Sequence, residues 1–323
     1  ETVWWNTTDP ELDSESYTAP FFEVYNLTNL GRATYGLDTA DFNKDQKLDI
    51  AVGWWNIDDP QYHHGGISVF YRNSENSFKT EKIYLYEWGI SYLDVADFDN
   101  DGYEDILFSQ YEEEENPREG FFHSVHILWN DEGTFENKSH ISDFRQSDGW
   151  HNPHFTTADF DNDDDIDFIV GANCGKVKLF KNDGRGVFTD QGVIFDYGDN
   201  SWGLDVADFN DDGYPDFIVC ARTVSSEYPF NDSGHIYLKL NDQSDSCFNS
   251  TSPGIRISSL PLPIDDTAWG AYEFGSVAVL DYNNDGLLDV IYGGDYKIFL
   301  FIQQDDANFH PYYAFALRDR EFT

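Results

Sequence analysis

Five segments of this chain carry oxygen-bearing side chains at a spacing that suits a hard cation: TADFNKDQKLDIAVG, VADFDNDGYEDILFS, TADFDNDDDIDFIVG, VADFNDDGYPDFIVC and VLDYNNDGLLDVIYG. Counting from the aspartate that opens each loop, positions 1, 3, 5 and 9 are the candidate ligands. They are Asp41, Asn43, Asp45 and Asp49; Asp97, Asp99, Asp101 and Asp105; Asp159, Asp161, Asp163 and Asp167; Asp208, Asn210, Asp212 and Asp216; and Asp281, Asn283, Asp285 and Asp289. Seventeen of these are aspartates, and carboxylates held so close repel one another unless a cation compensates. Calcium takes six to eight oxygens and accepts carboxylates mixed with carbonyls, so a tight loop with a backbone carbonyl near position 7 can wrap it. Position 6 needs a sharp turn, which glycine allows. Gly102, Gly213 and Gly286 supply it in three loops, and Asp164 stands there in the third. Aspartate tolerates left-handed backbone better than most residues. The first loop is the poorest, with Gln46 at the turn and Lys44 and Lys47 beside it. The expectation is up to five calcium ions, weakest at the first loop. EF-hands do not fit, because the flanking helices and a position-12 glutamate are missing.

The loops recur at intervals of 56, 62, 49 and 73 residues, about the length of a four-stranded propeller blade. Each loop follows one β-rich run, such as Gly203–Phe209, and precedes a second, such as Asp216–Cys220. Third strands are expected at Ile67–Tyr71, Val125–Trp129, Val177–Phe180, Ile236–Leu240 and Lys297–Ile302. Polar turns such as Asn130-Asp131-Glu132-Gly133 then lead to fourth strands opening near Phe78, Phe135, Phe188, Phe248 and Phe309. The second strands are apolar almost throughout, as in Phe168-Ile169-Val170, which marks strands covered on both faces. The fold class is therefore all-β: a β-propeller of five four-stranded blades over residues 21–323, preceded by an arm at residues 1–20.

The D-x-[DN]-x-D-x-x-x-D loops resemble those of the FG-GAP and VCBS repeats found in integrin α-subunit propellers and in many secreted microbial and fungal proteins. The resemblance runs from about Leu30 to Leu317. It implies calcium held between the first and second strands of each blade, on one face, and partners bound through loops on the opposite face. Common propellers of this family have more than the five blades counted here. A truncated ring, or a six-bladed ring with one degenerate blade, is the alternative.

Length variation gathers on that opposite face. The connections between second and third strands are short at Ala172–Lys176 but long at Trp54–Gly66, Ser109–Phe122 and Ala221–Gly234, and such insertions often mark the binding side of a repeat protein. Tyr35, Trp54, Trp55, Trp88, Trp150, Trp202 and Trp269 fall in or beside these loops and are the candidate ligand-binding residues, against inter-blade packing as the competing use. His63, His64, His123, His151 and His154 read as packing or surface residues in preference to transition-metal ligands. The run Glu112–Glu115 reads as a solvated loop. Phe42, Phe98, Phe160, Phe209 and Tyr282, at position 2 of each loop, read as core.

A formal charge of −42 excludes nucleic acid as a partner and disfavours anionic membranes. No run reaches the roughly 18 apolar residues of a membrane helix. The chain starts at Glu1 and contains no Met, as a processed secreted product would. Sequons at Asn6, Asn26, Asn137, Asn231 and Asn249 support an extracellular address. A disulfide between Cys174 and Cys220 is expected, leaving Cys247 unpaired. Phe21–Asn26 and Asn308–Leu317 both read as a closing fourth strand, so one is surplus, and the arm with Trp4 and Trp5 packs on its own ring or docks on a neighbour. No nucleophile-elbow, zinc-protease or P-loop motif is present. The functional expectation is a non-catalytic extracellular binding or adhesion module for a glycan or protein. The alternatives are a structural subunit of a glycoprotein fibre or coat, or a lyase-like polysaccharide-degrading enzyme.

Overall fold

The computed structural model describes residues 33–56, 64–74, 77–86, 89–113, 121–145, 153–172, 175–198, 200–223, 233–257, 262–263, 276–294, 297–305 and 308–316. The chain divides into residues 1–30, outside the described residues, and residues 31–323. The second unit is all-β. Sheet 1 contains β1 (Ala33–Ala40), β2 (Asp49–Asn56), β3 (His64–Ser74) and β4 (Ser77–Tyr86). Sheet 2 contains β5 (Ile90–Ala96), β6 (Asp105–Glu113), β7 (Phe121–Asp131) and β8 (Thr134–Arg145). Sheet 3 contains β9 (His154–Ala158), β10 (Asp167–Ala172), β11 (Lys176–Lys181) and β12 (Thr189–Asp196). Sheet 4 contains β13 (Asn200–Ala207), β14 (Asp216–Thr223), β15 (Ser233–Lys239) and β16 (Ile255–Arg256), with β17 (Leu262–Pro263) also paired to β15. Sheet 5 contains β18 (Ser276–Leu280), β19 (Asp289–Gly294), β20 (Lys297–Asp305) and β21 (Asn308–Ala316). Every sheet is an antiparallel meander in chain order.

The second strand of a sheet explains how the sheets stack. Side chains alternate across a strand, and here both faces are covered. In β6, Ile106 and Phe108 join the cluster shared with sheet 1, while Leu107 joins the one shared with sheet 3. In β10, Phe168 and Val170 face sheet 2 and Ile169 faces sheet 4. In β14, Phe217 and Val219 face sheet 3 and Ile218 faces sheet 5. Burying each such side chain contributes about 1.5–3 kcal/mol. Neighbouring sheets are therefore held by four apolar interfaces, 1–2, 2–3, 3–4 and 4–5.

The position-2 aromatics clasp each sheet to the next. Phe42 meets Phe135, Phe98 meets Phe188, Phe160 meets Phe248 and Phe209 meets Phe309, all edge to face with centroids 5.7–6.1 Å apart. Such contacts add about 0.5–1.5 kcal/mol beyond burial. Four of the five position-2 residues are core as expected, but Tyr282 is 54% exposed. Sheet 5 ends the series, and no described sheet covers that ring.

A second line of contacts follows the first strands. Three residues before the opening aspartate stand Asp38, Asp94 and Asp205. Asp38 Oδ2 and Asp94 Oδ1 both accept from the Val95 N–H, at 3.1 and 3.0 Å. Asp205 Oδ2 accepts from Val279 N of sheet 5 at 2.8 Å. Asp94 also hydrogen-bonds Asp38 and Thr157, so it bridges sheets 1, 2 and 3. Burial, then the adjacent Asp38, hold the Asp94 carboxyl well above the ordinary carboxylate range.

Several local expectations are corrected. Phe248 opens no strand: it is buried within residues 241–254, and the fourth strand begins at Ile255. The buried Lys239 holds that segment, donating from Nζ to the carbonyls of Asn249 and Ser252 at 2.6 and 2.7 Å. Glu112 and Glu113 belong to β6 instead of a loop, and Glu112 accepts from Ser124 Oγ at 3.0 Å. The C-terminal segment supplies β21 of sheet 5, while Phe21–Asn26 lies outside the described residues.

Two predictions follow from this packing. Phe98→Ala should cost roughly 3–5 kcal/mol in chemical denaturation, whereas Tyr282→Ala should change stability by no more than about 0.5 kcal/mol; equal effects would contradict the stacking order. Because the native pKa of Asp94 is raised, its contribution to stability is fully present below the ordinary value of 3.8 and is lost as pH rises through the native pKa. The melting temperature of Asp94→Asn relative to wild type should therefore climb with pH, and a flat or falling difference would exclude the shared-proton contact.

Candidate metal centre

The five loops fold by one hydrogen-bond scheme. Position 1 accepts from two backbone amides, those of positions 5 and 6. For Asp97 these are Asp101 N to Oδ1 at 3.1 Å and Gly102 N to Oδ2 at 2.8 Å. Asp41, Asp159, Asp208 and Asp281 repeat the pair. Position 5 accepts from the amide of position 7, as Asp101 does from Tyr103 at 2.7 Å. Positions 4 and 6 are left-handed throughout. Lys44, Asn100, Asn162, Asp211 and Asn284 have φ of 57–60°, and position 6 lies between 66° at Gln46 and 89° at Gly102. A Cβ on Gly102 would meet nothing within 4 Å, so glycine serves the backbone angle and not the space. Gln46 adopts the same angle at a steric cost.

Position 9 is the buried anchor. Asp105 accepts from Phe98 N at 3.1 Å and from Asn130 N at 2.8 Å, which ties the loop to the end of the third strand. Asp167, Asp216 and Asp289 do the same. Burial raises Asp105 to about 8 and Asp167 and Asp216 to about 7, although the amides oppose the shift. Burial likewise raises Asp49.

Two loops bring three carboxylates together. One oxygen each of Asp97, Asp99 and Asp105, and of Asp159, Asp161 and Asp167, lie within 4.8 Å of one another. Both clusters can coordinate a divalent cation. The remaining three loops carry Asn43, Asn210 or Asn283 at position 3, an amide in place of the third carboxylate. Asp49 Oδ2 and Asp161 Oδ1 are buried oxygens without a hydrogen-bond partner. A buried carboxylate oxygen left unpaired is costly, so the donor set fits a bound cation.

Ammonium groups enter two of the loops. Lys47 Nζ lies 2.7 Å from Asp45 Oδ2 in the first loop. Lys181, in the third strand of sheet 3, donates to Asp161 Oδ2 and to the Asp245 carbonyl, both at 2.7 Å. The sequence reading marked Lys47 but passed over Lys181, which is distant along the chain.

The expected ligand-face residues are scattered. Trp54 is 1% exposed and its Nε1–H donates to Ser68 Oγ at 2.9 Å, so it is core and cannot stack on a ligand. Trp55 is half-buried against Tyr111, with centroids 5.2 Å apart. Tyr35 and Trp202 lie in β1 and β13. Trp88, Trp150 and Trp269 lie outside the described residues. His123 and His154 are buried, as packing histidines would be. Cys220 and Cys247 are buried, and burial pushes the Cys247 thiol up to about 11. Cys174 lies outside the described residues, as do Asn6, Asn26 and Asn231. Asn137 and Asn249 are exposed.

The FG-GAP-like repeat family matches residues 159–219, which contain the whole third and fourth loops. A search of curated proteins gives no match. Among solved structures, an Agrocybe aegerita lectin that recognises non-reducing terminal N-acetylglucosamine is 18% identical, with 88% of this chain and 80% of that one covered and a TM-score of 0.43. A Lactobacillus plantarum protein is 13% identical over 88% of this chain and 71% of that one, with a TM-score of 0.51. An exo-β-1,3-galactanase from Clostridium thermocellum is 10% identical over 88% of this chain and 61% of that one, with a TM-score of 0.43. The Lactobacillus plantarum likeness concerns the fold alone, and the other two say nothing of this chain's fold or role.

Cation binding should release protons near neutral pH, since Asp105, Asp167 and Asp216 hold them at about 7–8 without an ion. Apparent affinity should therefore rise from pH 6 to pH 8, approaching about tenfold per pH unit for each proton displaced. Calorimetry in buffers of different ionisation heat checks this, and buffer-independent heats would contradict it.

Proposed function

We propose that the chain is an extracellular calcium-binding β-propeller acting as a non-catalytic binding or adhesion module. The observation that carries the reading is the repetition of one loop scheme five times, each loop closed by a buried aspartate. All-oxygen donors with a backbone carbonyl near position 7 favour calcium, whose coordination is flexible, over magnesium, which demands a near-ideal octahedron. The five sheets are the blades of that propeller. The ligand face is the one opposite the calcium loops, where Tyr35, Trp55, Trp88, Trp150, Trp202 and Trp269 remain candidates. The ligand is a glycan or an extracellular protein. Exposed Asn137 and Asn249 suit N-glycosylation outside the cell.

A second reading, a subunit of a fibre or coat, draws on the exposed Tyr282 and Leu280 of sheet 5. In that case another copy of the chain covers them.

A glycan array probed in calcium and again in excess EDTA tests the first reading. It predicts selective retention that EDTA abolishes, with no release of reducing ends from any retained polysaccharide. Turnover would contradict the non-catalytic role, and concentration-dependent assembly without glycan or protein binding would favour the second reading.

A further inference from the structure

The loops touch one another in order. Position 4 is left-handed in every loop, and in the first three its side chain reaches across a sheet boundary to position 6 or 7 of the following loop. Lys44 of the first loop places its ammonium 5.2 Å from the ring centroid of Tyr103, position 7 of the second. Asn100 of the second loop donates from Nδ2 to Asp165 Oδ1, position 7 of the third, at 2.7 Å. Asn162 of the third donates from Nδ2 to the carbonyl of Gly213, position 6 of the fourth, at 2.9 Å. Three successive boundaries thus carry the same contact with different chemistry.

A second contact runs beneath the first. A residue at the end of the third strand or just beyond it donates its backbone N–H to position 9 of its own loop, and in four sheets its side chain reaches the position-2 carbonyl of the preceding loop. Asn130 reaches Phe42 O at 3.0 Å, Asn182 reaches Phe98 O at 2.7 Å, and Asn241 reaches Phe160 O at 2.8 Å. Gln303 reaches Phe209 O at 3.0 Å. Arg72 stands at this place in sheet 1, where its backbone N–H donates to Asp49 at 2.8 Å. Each of the first four loops is therefore gripped at position 2 by the sheet that follows and, in the first three, linked through position 4 to the next loop.

We propose that neighbouring cation sites are energetically coupled through these links, with Asn100 and Asn162 as positioning residues that let one occupied loop set the geometry of the next. The proposal rests on the reading of the loops as cation sites. An ion fixes positions 1 to 9 of its loop, including the left-handed residue at position 4. That residue then holds the 6–7 segment of the following loop, whose backbone carbonyl is the expected non-side-chain ligand. The second ion finds a loop already ordered, and linkage makes the effect reciprocal. Both asparagine contacts are exposed hydrogen bonds, so removing them leaves the apolar interfaces intact.

Terbium(III) luminescence tests this, with Tyr103 and Tyr214 in the loops as sensitisers. The variant is Asn100→Gly with Asn162→Gly, because glycine keeps the positive φ while deleting the side chain. The expected result is a shallower titration than wild type, the same number of ions bound, and an apparent affinity about fivefold weaker, at the low end of coupling between sites. The melt in excess EDTA should stay unchanged. Superimposable titrations overturn the coupling, as does a parallel loss of affinity at unchanged steepness, or an effect confined to the chelated melt. Wild type that binds no terbium overturns the cation reading itself, and the coupling with it.

Discussion

The carboxylate that closes each loop accepts backbone N–H groups from two directions, and the rest of the architecture hangs on that interaction. Asp105, for example, joins position 2 of its loop to Asn130 near the end of β7. The loop, the start of the second strand and the end of the third are thereby fixed together. The same position 2 is the aromatic that clasps the next sheet. A polar anchor and an apolar interface therefore share neighbouring atoms, and the loop cannot shift without disturbing the packing beside it.

Burying that carboxylate has an electrostatic cost that the amides only partly offset, as its raised pKa records in Asp105, Asp167 and Asp216. Around it stand further acids in a chain of net charge −42. A divalent cation removes both penalties at once: it neutralises the cluster and supplies partners for oxygens such as Asp161 Oδ1. Lys47 and Lys181 perform part of that task as fixed ammonium groups in the first and third loops. Cation coordination and loop stability thus draw on the same carboxylates.

Much of this was legible because the loop is local. Spacing alone places Asp97, Asp99 and Asp105 around one point, and the structure brings them together. The apolar second strands likewise announced burial on both faces. What the sequence concealed lies between sheets. Asn130, Asn182 and Asn241 look like turn residues, and only the stacking shows them reaching a carbonyl more than 80 residues away. Asp38, Asp94 and Asp205 precede the loops at a constant offset, so a closer reading of the repeats could have found them. Trp54 was misplaced because aromatic type does not distinguish a binding surface from a core, and Phe248 because a buried aromatic after a polar turn need not open a strand. Glu112 was misplaced because a polar run is no obstacle to a strand when a neighbouring residue such as Ser124 of β7 supplies a hydrogen bond.

The central claim, that cations order these loops and through them the sheets, is tested most directly by amide hydrogen exchange with calcium and with a chelator. The amides at positions 5 and 6, such as Asp101 and Gly102, already bond to the opening aspartate. The account predicts that calcium slows their exchange in all five loops and also slows exchange in the second strands that the loops begin. Exchange that is indifferent to calcium in the loops, or protection that stops at their ends, would contradict it.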